Sequence, residues 1–196
     1  MMYKRMILAA VLLTFVVVVG GAYVCLQDAG LGCPDWPGCY GQLVGVPQGA
    51  EEIERAERGF PQRPVEVHKA WKEMFHRYLA GALGVLLFAI MVAAWRSRRM
   101  LPHSPVLPTA IVALVGVQAT LGMWTVTLLL RPVIVTLHLL GGMATLALLA
   151  WLALRVWAWL RLPASARRLR PWAAAGLAVS AAPCRRCRTR GLPRPT

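Results

Sequence analysis

The chain has 196 residues, of which 58% are hydrophobic, and a mean hydropathy of +0.55. Its charged share, 15%, is well below the roughly one quarter of an ordinary soluble domain. The net charge of +14 invites a nucleic-acid partner, but the basic residues flank apolar blocks instead of forming a patch, which argues for a lipid bilayer and against nucleic acid.

Four blocks approach the length of about 20 apolar residues that a membrane span needs: residues 6–24, 73–95, 106–130 and 133–159. Residues 1–5 carry Lys4 and Arg5 ahead of the first block. That block is longer than the apolar core of a secretory signal, about 7–15 residues, and no small-x-small cleavage site ends it, so an uncleaved helix is expected. Residues 25–72 form one sizeable loop. All eight acidic residues of the chain lie between Asp28 and Glu73. Within the loop, GLGCPDWPGCY (residues 30–40) is dense in turn formers. The stretch GAEEIERAERG, from Gly49, predicts a short amphipathic surface helix. Residues 60–64 are held extended by their prolines, and helix resumes near Glu66.

The link 96–105 holds Arg96, Arg98 and Arg99 and is closed by Pro102, Pro105 and Pro108. A turn at residues 131–132 makes the third and fourth spans an antiparallel hairpin. Basic residues recur in segment 160–171 (Arg161, Arg167, Arg168 and Arg170). Alternate sides are therefore basic, and the positive-inside rule places the N-terminus in the cytoplasm and the long loop outside. Residues 172–196 begin as a short apolar stretch, too short to cross alone. They end in AAPCRRCRTRGLPRPT, which reads like a GC-rich gene translated out of frame; an authentic basic tail is the alternative. The expected fold is all-α: a polytopic membrane protein with a four-helix up-and-down bundle.

Two constellations carry chemistry. Cys33 and Cys39 share a Pro-rich turn on the oxidising side, where a disulfide is sensible; a redox-active pair and a structural staple are both open. Glu73 and His76, at i and i+3, share a helix face. His138 sits in the second turn of the fourth span, at a similar depth. Two imidazoles at matched depth, on antiparallel-compatible helices, can ligate one haem iron axially; the alternative is two interfacial residues with wet tips. Arg77 is a candidate partner for a haem propionate or a snorkelling residue. Gln118 faces the same interior or bonds between helices. Gly81, Gly84, Gly116, Gly122, Gly141 and Gly142 permit close helix approach or room for a flat macrocycle. Trp36, Trp71 and Trp124 fit an outer aromatic belt. Cys25 is expected to be buried. His68 and His103 read as loop residues. Cys184 and Cys187 form a C-x-x-C without a second ligand pair.

Three blocks, GLGCPDWPGCYGQ, KAWKEMFHRYLAGALG and QATLGMWTVTLLLRPVIVTLHLLGG, are together similar to the haem A synthase family of bacterial and mitochondrial inner membranes. The resemblance covers about residues 5–178. It implies an eight-helix protein of two similar halves, each with a histidine pair, that oxidises the C8 methyl of haem O to the formyl of haem A. It implies that Glu73 and His76 are the family's E-x-x-H, that His138 is the second histidine of the first half, and that Cys33 and Cys39 are its disulfide pair. Catalytic roles are thereby expected for Glu73, Cys33 and Cys39: the carboxylate as proton carrier or charge stabiliser, the thiolate as electron relay or transient nucleophile. Haem iron ligation is expected for His76 and His138. The sequence matches only the first, substrate-haem half; the second half would hold a b-type haem. A separate second-half partner or a homo-oligomer is expected, with haem O synthase and an electron donor as further partners, in a bacterial plasma membrane with the Cys loop periplasmic. Rival readings are a non-catalytic bis-His electron-transfer protein, an inactive fragment, and a quinone-linked thiol oxidase, the last disfavoured because the turn at 131–132 has no cysteine.

Overall fold

The structure is a computed structural model that describes residues 2–99 and 104–157. His103, segment 160–171 and residues 172–196, with Cys184 and Cys187, lie outside the described residues. Five helices follow in chain order: α1 Met2–Leu26, α2 Ala50–Gly59, α3 Val67–Arg96, α4 Val106–Thr127 and α5 Pro132–Trp157. All but α2 are long and apolar enough to cross a membrane. Among the described residues the only strand-like pairing is the isolated bridge between Cys39 and Gln42.

The helices run longer or shorter than the apolar blocks for local reasons. α3 begins at Val67, before the apolar block, because nothing breaks the helix after Pro64; it takes in His68, expected in a loop. α4 stops at Thr127 rather than at residue 130. There Leu130 N–H bonds to the Thr125 carbonyl and Leu129 N–H to the Val126 carbonyl. This crossed pair is a Schellman ending. It places Leu129 (φ 55°) and Leu130 (φ 53°) in the left-handed region. For non-glycine residues that costs about 1–2 kcal/mol each. Leu130 packs where Gly30 has no side chain; a Cβ there would lie 3.4 Å from a Leu130 methyl. α1 ends in the same way, with Ala29 N–H on the Val24 carbonyl and Asp28 at φ 50°. α5 opens on Pro132, whose fixed φ suits a first helical position.

The four long helices close a ring: α1 packs on α3 and α5, and α4 packs on α3 and α5. α3 and α5 are thus diagonal and run in the same direction, both starting at the end that carries loop 27–66. This differs from the antiparallel relation expected for the helices bearing His76 and His138. No Cα atom of α3 comes within 8 Å of one of α5, so the diagonal partners meet through side chains alone.

Packing is uneven along the bundle axis. Far from the loop, Ile7 and Ala10 of α1, Leu83, Leu87 and Ile90 of α3, Ile111 of α4, and Leu149, Leu152 and Val156 of α5 form one core. Their spacings of three and four are those of one helix face. Nearer the loop, burial stops. No residue is buried between Thr14 and Val24 of α1, between Met74 and Leu83 of α3, between Ile111 and Val126 of α4, or before Thr145 in α5. On α3 this band is about 12 Å tall at 1.5 Å per residue. A second core lies in the loop end, where Cys33, Cys39, Tyr40, Val46, Ala56, Ala70 and Met74 pack together.

The outer faces are lipid-like. Leu12, Val85, Val117 and Leu154 are all more than half exposed, as membrane helices require and soluble ones avoid. Trp36 and Trp124 are exposed at the loop end, and Trp95 and Trp151 at the other, which gives an aromatic belt at each level. Arg98 stacks on Trp95 and Arg155 on Trp151.

Candidate functional site

The site begins with α3, whose i, i+3 and i+4 positions face the loop and the bundle. Glu73 is buried beneath the Cys loop. Its Oε2 accepts the Cys33 N–H at 2.9 Å, and its Oε1 pairs with Arg77 Nη2 one turn on. Arg77 Nη1 donates to the carbonyls of Asp35, at 3.0 Å, Pro37 and Gly38. The guanidinium is therefore taken up by its own helix neighbour and by the loop, not left free for a propionate. A Glu followed by a cation at i+4 is a favourable helical pair, and both side chains are mostly buried, with 6% and 13% exposure.

Cys33 and Cys39 are joined in a disulfide with Cα atoms 4.8 Å apart. Neither is exposed to solvent. Cys33 Sγ lies over the Ala70 carbonyl. Gly32 is pressed on the α3 backbone; a Cβ there would sit 2.7 Å from the Lys69 carbonyl carbon. The turn between the cysteines is bracketed by Asp35, whose two oxygens accept the N–H groups of Tyr40 and Gly41 at 2.6 and 2.8 Å. Tyr40 donates to the Pro64 carbonyl at 3.0 Å and meets Phe60 edge to face. Burial pushes the Tyr40 phenol above its usual range. Tyr78 O–H accepts the Gly45 N–H at 2.7 Å. The Gly32, Cys33 and Gly45 contacts fasten the loop to α3, and the Asp35 and Tyr40 contacts close the loop on itself. Cys25, expected to be buried, is exposed, one residue before the end of α1.

His76 and His138 both fall in the poorly packed band. His76 points at α1, where Gly20 and Gly21 make room: a Cβ on Gly21 would lie 3.1 Å from His76 Cε1. His138 points at α4, where Gly122 plays the same part at 3.4 Å. Their levels are tied through α1. Gly142, one turn beyond His138, faces Val18, three residues before Gly21. Each ring has a buried Nδ1 with no hydrogen-bond partner. Gln118 leans on Gly141, and its main chain lies against His138.

Of the glycines expected to make room, Gly122, Gly141 and Gly142 do so, while Gly81, Gly84 and Gly116 face open space. Gly20 and Gly21 were not anticipated; a Gly-Gly pair inside an otherwise β-branched apolar helix was the available signal. Among the described residues, no three His, Cys, Asp or Glu side chains cluster to hold a bare metal ion. Two clefts at the loop end, of about 320 and 200 Å³, are lined by loop and α2 residues and by Lys69 of α3, and include neither histidine.

Residues 4–183 match a family described as cytochrome oxidase assembly protein (COX15-CtaA). The chain is 48% identical over 143 residues to a heme A synthase of Shewanella oneidensis, covering 72% of this chain and 42% of that protein. It is 34% identical to the heme A synthase of Caulobacter sp. (strain K31), over 67% of this chain and 37% of the relative. A third, from Shouchella clausii, is 26% identical over 69% and 39%. The chain thus spans about two-fifths of the length of the curated relatives it matches. No solved structure matches it.

Proposed function

The chain belongs to the COX15-CtaA family of cytochrome oxidase assembly proteins, and from that premise we propose that it carries the substrate-haem half of a haem A synthase, binding haem O between His76 and His138. The family implies haem involvement and an oxidoreductase. The observation that carries the finer reading is the pair of histidines at one level on the diagonal helices α3 and α5, each with an orphaned buried Nδ1 and each backed by glycine. A buried polar nitrogen without a partner costs about 1–3 kcal/mol, which ligation through that nitrogen would offset. A porphyrin supplies four ligands of its own and takes only axial ones from protein. Two imidazoles suffice for it, which is consistent with the lack of a larger ligand cluster among the described residues.

In this reading the bound iron macrocycle supplies the redox chemistry, and the chain's own residues hold and orient it. His76 and His138 ligate. Glu73 acts through position: its oxygens hold the Cys33 N–H and Arg77, so it sets the roof over the site. The disulfide staples that roof. The loop is periplasmic in this reading, and the basic helix ends are cytoplasmic.

The test is expression of the chain in a bacterium that makes haem O, followed by extraction and chromatographic identification of the haem that copurifies. Haem O bound, with haem A formed when the second half is supplied, supports the reading. Haem O bound but never converted favours a non-catalytic haem carrier. A chain that purifies without any haem contradicts the site.

A further inference from the structure

We propose that Arg131 binds a carboxylate of the substrate macrocycle, a propionate side chain of the porphyrin held by His138. This rests on the haem reading above. Arg131 is the N-cap of α5: its carbonyl accepts the Val135 N–H at 3.1 Å, which fixes its position at the head of the helix. Seven residues separate it from His138, which puts both on one helix face. The separation along the axis is about 10 Å at 1.5 Å per residue. That is on the scale of the span from a porphyrin's centre to its peripheral carboxylates.

Nothing structural explains a cation at this point. A positive charge at a helix N-terminus opposes the helix dipole. It also stands on the side that the positive-inside rule keeps poor in arginine. Among the described residues its exposed guanidinium makes no hydrogen bond or ion pair. Most other cations near this end are committed: Lys69 to Asp28 and Glu66, Lys72 to Gln27 and the Tyr23 ring, Arg63 to the Leu31 carbonyl, Arg58 to Glu54; Arg55, on α2 three residues after Glu52, is the exception. Arg77, the sequence's first candidate for this duty, is neutralised by Glu73, and a propionate arriving there would meet a like charge. The turn that places Arg131 is itself fixed, by the crossed hydrogen bonds of Leu129 and Leu130 and by Leu130 seated on Gly30.

A lipid headgroup offers similar anionic chemistry, and the experiment separates the two. The full 196-residue chain in phosphatidylcholine nanodiscs is titrated with iron protoporphyrin IX and with its dimethyl ester. Arg131→Gln is expected to weaken the free acid about tenfold, the loss of one charge-assisted contact, and to leave the ester's affinity and the ligation spectrum unchanged; Arg131→Lys restores part of the loss. Equal affinities of the unaltered chain and Arg131→Gln for the free acid overturn the proposal, as does an equal loss for the ester. Unchanged porphyrin affinity with less copurifying phosphatidylglycerol assigns Arg131 to lipid and overturns it too. An unaltered chain that binds neither porphyrin overturns the haem reading and takes this inference with it; one that binds both porphyrins equally well, with its ligation spectrum intact, overturns the Arg131 inference alone.

Discussion

The two halves of the bundle are built from the same helices yet to opposite specifications. Away from the loop, Leu83, Leu87 and Ile90 interlock with Leu149, Leu152, Ile7 and Ile111. Toward the loop the same helices bury nothing for several turns and present glycine and histidine instead. In lipid the transfer of an apolar side chain to a helix interface gains little, so association depends on close packing and polar contacts. The contrast teaches that one half holds the bundle together, while the other is kept loose around two imidazoles and closed from above by a stapled loop.

The strongest way to break this contrast is at the roof. Glu73→Ala leaves Arg77 as a buried cation without its partner and the Cys33 N–H without an acceptor. Removing one member of a buried pair costs about 3–5 kcal/mol. The expected outcome is a loop that opens, read as faster reduction of the Cys33–Cys39 disulfide by a dithiol, with the helices intact by circular dichroism. Unchanged reduction kinetics would detach Glu73 from the loop. Next, Leu149→Ala in the packed half is expected to cost about 2–5 kcal/mol, whereas Leu139→Ala in the loose half, half exposed, is expected to stay within about 0.5 kcal/mol. Detergent-denaturation midpoints of the two variants check the difference, and equal shifts would remove the asymmetry. The smallest effect is at the loop surface. Glu52 accepts the Gln48 N–H at 3.1 Å, and that bond lowers its carboxyl below the usual range. A depressed folded pKa means stability that is present above the unfolded glutamate value and lost as pH falls through the folded one. Amide protection at the start of α2, taken relative to the intrinsic exchange rate at each pH, should therefore fall in acid, and Glu52→Gln should abolish that pH dependence.

Much of this contrast was legible in the residues. Hydropathy gave four spans because a bilayer permits few other shapes, and GAEEIERAERG gave α2. The histidines and Glu73 stood out because ionisable groups in such blocks are costly. What escaped was relational. Helix ends moved where hydrogen-bond closure, not hydropathy, decides: Leu129 and Leu130 remain apolar yet end α4. The up-and-down order of the spans already makes the helices of His76 and His138 co-directional; that they are diagonal follows only from the ring order. Arg77 looked free because its acceptors are backbone carbonyls of the loop, invisible in a string of letters. The disulfide's burial likewise depends on Gly32 pressing the loop on α3.

The most direct test of the central claim is the optical and paramagnetic resonance spectrum of haem bound to the full chain in lipid. The account predicts a low-spin, bis-imidazole iron, lost in His76→Ala and in His138→Ala alike while the disulfide stays closed. A low-spin bis-imidazole spectrum that survives either substitution would contradict the pairing of these two histidines across the bundle.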